Sequence, residues 1–138
     1  MTKAFPPQPL PDVDSEGFWL AAKEGRLALQ YCAACQKHQF PPLEGCRSCG
    51  ETLSWKTVSG RGVIHTFIIE HHMVAPGFDD KLPYAIALVC PEEAPHVRIP
   101  SRIVCDDLSD VVVGARVTAT LEDLPGGDFK YPVFRLES

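Results

Sequence analysis

Cys32-Ala33-Ala34-Cys35, ten residues, and then Cys46-Arg47-Ser48-Cys49-Gly50 form the stretch that organises this chain. Two residues between cysteines let one tight turn aim both thiolates at the same ion, with the turn's amides placed to spread the sulfurs' charge. Two such turns facing each other enclose a tetrahedral all-sulfur cage, the donor set of one structural Zn²⁺ per chain. Gly50 follows the second pair, where a chain leaving such a turn needs a positive φ. The spacer is shorter than the roughly 15–20 residues common between such pairs, but it accommodates a small hairpin containing Pro41-Pro42. Four protein ligands leave no open position for water, so the expected role is structural. The same cage also holds iron. Zinc is favoured over iron, and the remaining alternatives are unligated thiols or two redox disulfides. His38 is not needed as a ligand and reads as a polar loop residue.

Upstream, Ser15 to Gly25 reads as a short helix, with Asp14 or Ser15 as its cap and Gly25 as its stop. Phe18, Ala21 and Ala22 share one stripe, and so short a helix needs a surface to pack against. Residues 26–31 then alternate Leu27, Leu29 and Tyr31, the pattern of a strand. Before the helix, Pro6, Pro7, Pro9 and Pro11 favour an extended polyproline segment. It reads either as a disordered leader or as a strap over a partner.

Downstream, the pattern turns to β. Expected strands are Trp55–Val58, Gly62–Glu70, Tyr84–Cys90, Val97–Val104, Arg116–Glu122 and Val133–Leu136, separated by glycine and proline turns. Such a set suits a small closed barrel. Cys90 ends an apolar strand and reads as packing. Cys105 stands beside Asp106 and Asp107, which raise a thiol's pKa, so neither cysteine reads as a nucleophile. Adjacent strand residues point to opposite faces, so His71 and His72 are not expected to chelate one ion. No hydrolase constellation or phosphate-cradling glycine loop is present.

At 138 residues, 45% hydrophobic and 22% charged, the composition is that of a folded domain. The longest apolar run, Tyr84 to Cys90, is far too short to span a bilayer. The first residues lack the apolar stretch of a secretory leader. The cytoplasm, where thiols stay reduced, is the expected compartment. Residues 1–50 balance five basic against five acidic side chains, while residues 51–138 carry eight basic and 13 acidic ones, the whole net charge of −5. Four thiolates with one Zn²⁺ add about −2 more. A groove for single-stranded nucleic acid needs a basic track and exposed stacking aromatics, and this half of the chain is acidic.

The motifs taken together resemble a known family. Gly17-Phe18-Trp19, Glu24-Gly25-Arg26-Leu27, the first cysteine pair, Phe40-Pro41-Pro42 and the second pair with Gly50 resemble its N-terminal half. Ser59 to Ile64, Phe67, Leu82 to Val89, Val113 to Val117 and Pro132-Val133-Phe134 resemble its C-terminal half. The family is the acyl-CoA-associated zinc-ribbon and OB-fold family, domain of unknown function thirty-five, and the resemblance covers roughly residues 15–137. It implies a mainly β protein: a Pro-rich tail over 1–14, a helical segment and lead-in strand over 15–30, a rubredoxin-like zinc ribbon over 31–54 and an OB-fold barrel over 55–138. One departure is the segment 92–100, which lacks the glycine-rich turn expected after the Pro83-Tyr84 strand.

The resemblance further implies a non-catalytic accessory subunit of an acyl-CoA-processing enzyme of thiolase-like, lipid-transfer-protein-like or hydratase type. Its partner is a thiolase-fold or hydratase-fold subunit, and its role is to scaffold the complex and shape an acyl-CoA path. The alternative is a single-stranded nucleic-acid-binding OB protein. Contact with CoA phosphates requires basic groups, and Lys56, Arg61, Arg98 and Arg102 are the candidates. The charge distribution predicts that labelled single-stranded DNA passes the immobilised protein unretained even at low salt. Retention that disappears on charge reversal at Arg61 or Arg98 would restore the oligonucleotide reading.

Overall fold

The computed structural model describes residues 5–72 and 76–137, so the first four residues of the Pro-rich tail lie outside it. Among the described residues one α-helix, α1 (Glu16–Lys23), precedes eight strands. Its buried stripe is Phe18, Ala21 and Ala22, and the helix ends at Gly25 with φ +84°. Its start differs from the sequence reading. Asp12 Oδ1 accepts from both the amide and the hydroxyl of Ser15, each at 2.8 Å, while Ser15 Oγ accepts from the Asp12 amide at 3.1 Å. Ser15 occupies the cap position, but its hydroxyl is turned back on Asp12 and caps no helical amide. These hydrogen bonds hold the Asp12 carboxyl below its ordinary pKa.

β1 (Ala28–Cys32) is the centre of a three-stranded antiparallel sheet, flanked by β2 (Lys37–Gln39) and β3 (Ser54–Thr57). The β1–β2 hairpin turns through the first cysteine pair itself, because Cys32 stands opposite Lys37. Sequence patterning places the hairpin in the spacer around Pro41-Pro42 and gives no strand at 37–39. The structure instead folds the pairing around Cys32 and Cys35, and three residues are too few to show a period. Trp55 pairs with Gln30 in this sheet. The indole lies against Gly17, where a β-carbon would overlap the ring, so α1 sits directly on β3.

The remaining strands, β4 (Arg61–Glu70), β5 (Tyr84–Pro91), β6 (Ile99–Val104), β7 (Arg116–Asp123) and β8 (Lys130–Leu136), close into a barrel in the order β4-β5-β6-β8-β7. β6 and β8 pair in parallel and every other neighbour is antiparallel. A register shift at His65 lets the long β4 bend, so that it pairs with β7 over residues 61–63 and with β5 from Gly62 to Glu70. The expected strand from Val97 begins only at Ile99. Residues 91–97 form two successive turns instead (Ala94 N–H to Pro91 O, Val97 N–H to Ala94 O), with Ala94 and Val97 buried beneath them.

One apolar cluster runs without a break from Phe18, Leu27 and Leu29 through Val58 to Ile64, Val89, Ile99, Val117 and Phe134. Ribbon and barrel therefore share a single core. The Pro-rich segment folds back on this same chain. Pro6 is buried against Gly77, and Gln8 Nε2 donates to Pro125 O at 2.8 Å. Trp19 of α1 meets Phe129 edge to face at 5.8 Å. Among the described residues no helix is long and apolar enough to cross a membrane.

Phe134 is 1% exposed at the strand that closes the barrel. Phe134→Ala is expected to lower the free energy of unfolding by about 3–5 kcal/mol in denaturant titrations. Ile68→Ala, on a side chain 57% exposed, should stay within about 0.5 kcal/mol of the parent.

Candidate metal centre

All four sulfurs of Cys32, Cys35, Cys46 and Cys49 converge, each within 4.8 Å of the others. Cys32 Sγ lies 3.6 Å from Cys49 Sγ, and Cys35 Sγ lies 3.9 Å from Cys46 Sγ. Four ligands at about 2.3 Å around a tetrahedral ion stand about 3.8 Å apart, so the cage has the size that a zinc or iron ion requires. These separations are far beyond a disulfide bond, and all six cysteines are free.

The local chain explains the convergence. Cys32 ends β1, and the turn that follows donates the Cys35 amide to Cys32 Sγ at 3.4 Å. In the second turn the Ser48 amide reaches Cys46 Sγ at 3.4 Å, the Gly50 amide donates to Cys46 O at 2.8 Å, and Gly50 leaves with φ +77° as its position requires. The amides of Cys49 and Ser48 hold the Cys46 thiol down to a pKa of about 6. Hydrogen bonds from Cys49, Cys32 and Cys46 push Cys35 up to about 12. A metal-free cage thus keeps a proton that an entering ion must displace. Lys37 and Arg47 line the small cavity beside Cys35 and Cys46 together with His38 and His96, and no carboxylate joins them. With a divalent ion bound, the four thiolates would carry a net charge of about −2, which these two cations would offset.

The second cysteine pair sits on a segment without strand pairing, residues 40–53, and two glutamines hold it. Gln30 Oε1 accepts from the Leu43 amide and Gln30 Nε2 donates to Leu43 O, both at 2.8 Å. Gln39 Oε1 accepts from the Arg47 amide at 2.8 Å, and its Nε2 donates to Gly45 O at 3.2 Å. Sequence reading passed over both. The available signal was Gln30 at the end of the apolar run Leu27-Ala28-Leu29, since a polar side chain buried in such a run needs partners.

His38 is on β2 and not in a loop. Its ring packs edge-on against Tyr31 at 4.9 Å, and burial lowers its pKa. The four basic candidates do not gather at one place. Lys56 stands on β3 of the ribbon sheet with its ammonium 4.2 Å from the Tyr31 ring centroid. Arg61 pairs with Glu92 at 2.9 Å on the barrel and shares a cavity with Arg116 and Glu137. Arg98 caps the carbonyls of Pro95 and Val97. Arg102 is held by Glu122 at 3.1 Å and by Tyr131 at 3.2 Å. His71 and His72 are exposed just beyond β4. Cys90 is buried. Cys105 is raised in pKa by burial first, and then by Asp110, Asp106 and Asp107.

Two family models match consecutive stretches of the chain. They are the rubredoxin-like zinc ribbon domain of ChsH2 over residues 19–54 and the C-terminal OB-fold domain of ChsH2 over residues 55–122. Over 136 residues, 96% of its length, the chain is 35% identical to a probable enoyl-CoA hydratase alpha subunit of Thermomonospora curvata. Over 112 residues, 81% of its length, it is 30% identical to the 3-oxo-4,17-pregnadiene-20-carboxyl-CoA hydratase alpha subunit of Mycobacterium tuberculosis. It spans only 40% and 35% of those relatives. Among solved structures, a chain of the Ltp2-ChsH2(DUF35) aldolase superposes with a TM-score of 0.83 at 29% identity, covering 94% of this chain and 98% of that one. A DUF35 protein of unknown function from Sulfolobus solfataricus shares the fold alone, with a TM-score of 0.61 at 14% identity over 88% of this chain and 84% of that one.

The cage predicts one equivalent of tightly held metal per chain by elemental analysis, lost in Cys35→Ser and Cys49→Ser. Affinity should fall as the pH is lowered, because protons compete for the thiolates. A chelator titration at two pH values measures that slope.

Proposed function

From the premise that this chain belongs to the ChsH2, or DUF35, family of zinc-ribbon and OB-fold proteins, we propose that it is a non-catalytic accessory subunit of an acyl-CoA-processing enzyme. The observation that carries the reading is the match, over nearly the whole of both chains, to a chain of the Ltp2-ChsH2(DUF35) aldolase. The two hydratase alpha subunits support it from the sequence side. Each of those relatives is more than twice the length matched here, and the catalytic part is proposed to come from a partner. It is a thiolase-fold or hydratase-fold subunit.

The metal in this reading is Zn²⁺, and its part is architectural. Four cysteine ligands complete a tetrahedron and leave no position at which a substrate or water binds. The ion supplies cross-linking of the two turns, and the chain's own residues supply everything else. Of the four basic side chains proposed for CoA, Arg61 is the one we retain as a phosphate contact. Its pair with Glu92 lies in solvent and is therefore weak, and it shares its groove with a second arginine, Arg116. Lys56 is spent on Tyr31, Arg98 on backbone carbonyls and Arg102 on Glu122 and Tyr131. The oligonucleotide reading is not favoured. Residues 51–138 carry 13 acidic against eight basic side chains, and the outward side chains Ile68 and Val63 of β4 are aliphatic.

Co-expression with a thiolase-fold or hydratase-fold subunit from the same organism is expected to give a complex that co-elutes on size exclusion, with activity dependent on both chains. Activity of the partner alone equal to that of the mixture, with no co-elution, would sink the proposal. Within the complex, Arg61→Ala should weaken CoA binding several-fold by calorimetry, and Lys56→Ala should leave it unchanged.

A further inference from the structure

We infer that Gln30 and Gln39 act as a pair of positioning residues that set the metal affinity of the ribbon, by holding the second cysteine turn in register with the first. This rests on the reading of the four cysteines as a metal site. The two glutamines are direct partners in the β1–β2 register, and both turn their carboxamides toward the unpaired segment that carries Cys46. Gln30 is 5% exposed and commits both polar atoms to one residue, Leu43. Gln39 bonds Gly45 and Arg47, the neighbours of Cys46 on either side. The first cysteine turn is built into a hairpin, and the second reaches the cage because these four hydrogen bonds replace the ladder that residues 40–53 lack.

The chemistry explains why glutamine stands at both positions. A carboxamide offers a donor and an acceptor side by side, so it pairs with a peptide unit as another peptide would. A carboxylate has no donor for Leu43 O or Gly45 O and adds negative charge beside the thiolates. An aliphatic side chain of the same size leaves the peptide groups unpaired. Without the clamp, ordering of the segment between Cys35 and Cys46 falls on the ion, and each increment of ordering entropy is subtracted from its affinity. With the clamp, Cys46 is delivered before the ion arrives.

The test uses the full chain, Zn²⁺ and a chromophoric competing chelator, with the variants Gln30→Met and Gln39→Met and with Gln8→Met as a control. Gln8 makes a comparable side-chain bond, to Pro125, away from the cage. Each ribbon variant is expected to raise the zinc dissociation constant about 10–100-fold, and the control is expected to leave it unchanged. Hydrogen exchange in the zinc-saturated proteins gives a second readout. Protection should fall at the Leu43 amide in Gln30→Met and at the Arg47 amide in Gln39→Met, while β5 amides keep theirs. Zinc affinities within about twofold of the parent in both variants would overturn the inference while leaving the metal site intact. A parent protein that takes up no zinc would overturn the metal reading and the inference with it. Should Gln30→Met fail to fold, the half-buried Gln39 decides alone.

Discussion

Four thiolates within a few ångströms of one another repel, and only a cation at their centre makes the arrangement stable. The N-terminal part of the chain is built around that constraint. One pair is fixed by being the turn of a hairpin, and the other is brought in by side-chain pairing to an irregular segment. Amides point at Cys32 and Cys46, and lysine and arginine stand nearby, so each neighbour lowers the cost of gathering the sulfurs. β1 transmits the result. It carries Cys32 at one end, while its Leu29, 1% exposed, belongs to the core that continues into the barrel.

The junction between ribbon and barrel is itself dense. The Val58 amide bonds Leu27 O across the point where the chain leaves the ribbon sheet. Glu93, from the β5–β6 loop, accepts from the Ser59 amide at 2.5 Å and from its hydroxyl at 3.2 Å. Burial opposes ionisation of Glu93, yet these hydrogen bonds keep its pKa below the ordinary value. From the same loop the His96 ring reaches His38 O at 2.8 Å. A shared core and bonds from both sides of one loop make the ribbon and barrel a single body, as the proposed scaffolding role requires. The segment 92–100, which lacks the glycine-rich turn that the family resemblance implies, makes these ties through Glu93 and His96.

Much of this was legible from residues alone, and the pattern of what was not is instructive. Cysteine spacing gave the cage because tetrahedral thiolate coordination tolerates few alternatives at that spacing. The barrel strands showed because alternation along residues such as Val117 and Ala119 reports a half-buried surface. β2 stayed hidden, since its partner is specified by the turn at Cys32 and Cys35 and not by its own three residues. Ser15 is the cap residue that the sequence offers, but the turning of its hydroxyl back onto Asp12 is a matter of local geometry that residue type does not reveal. The glutamine clamps escaped because carboxamides carry no charge or period that marks them. The Pro-rich segment was read as a leader or as a strap over a partner, and folding back on its own barrel depends on Gly77 and Pro125, both distant in sequence.

The order of these elements along the chain has a consequence for synthesis. All three ribbon strands and all four cysteines fall within residues 28–57, so their contacts close over short loops. The barrel closes only when β7 meets β4, joining residues 61–63 to 116–118, and β8, residues 130–136, takes its place between β6 and β7. Loop closure grows costlier with separation, and a nascent chain emerges from its N-terminus. The cage is therefore complete, and able to take its ion, while the strands that close the barrel have yet to be translated. The metal-loaded ribbon then offers a preformed apolar edge at Leu27 and Leu29 against which the later strands assemble.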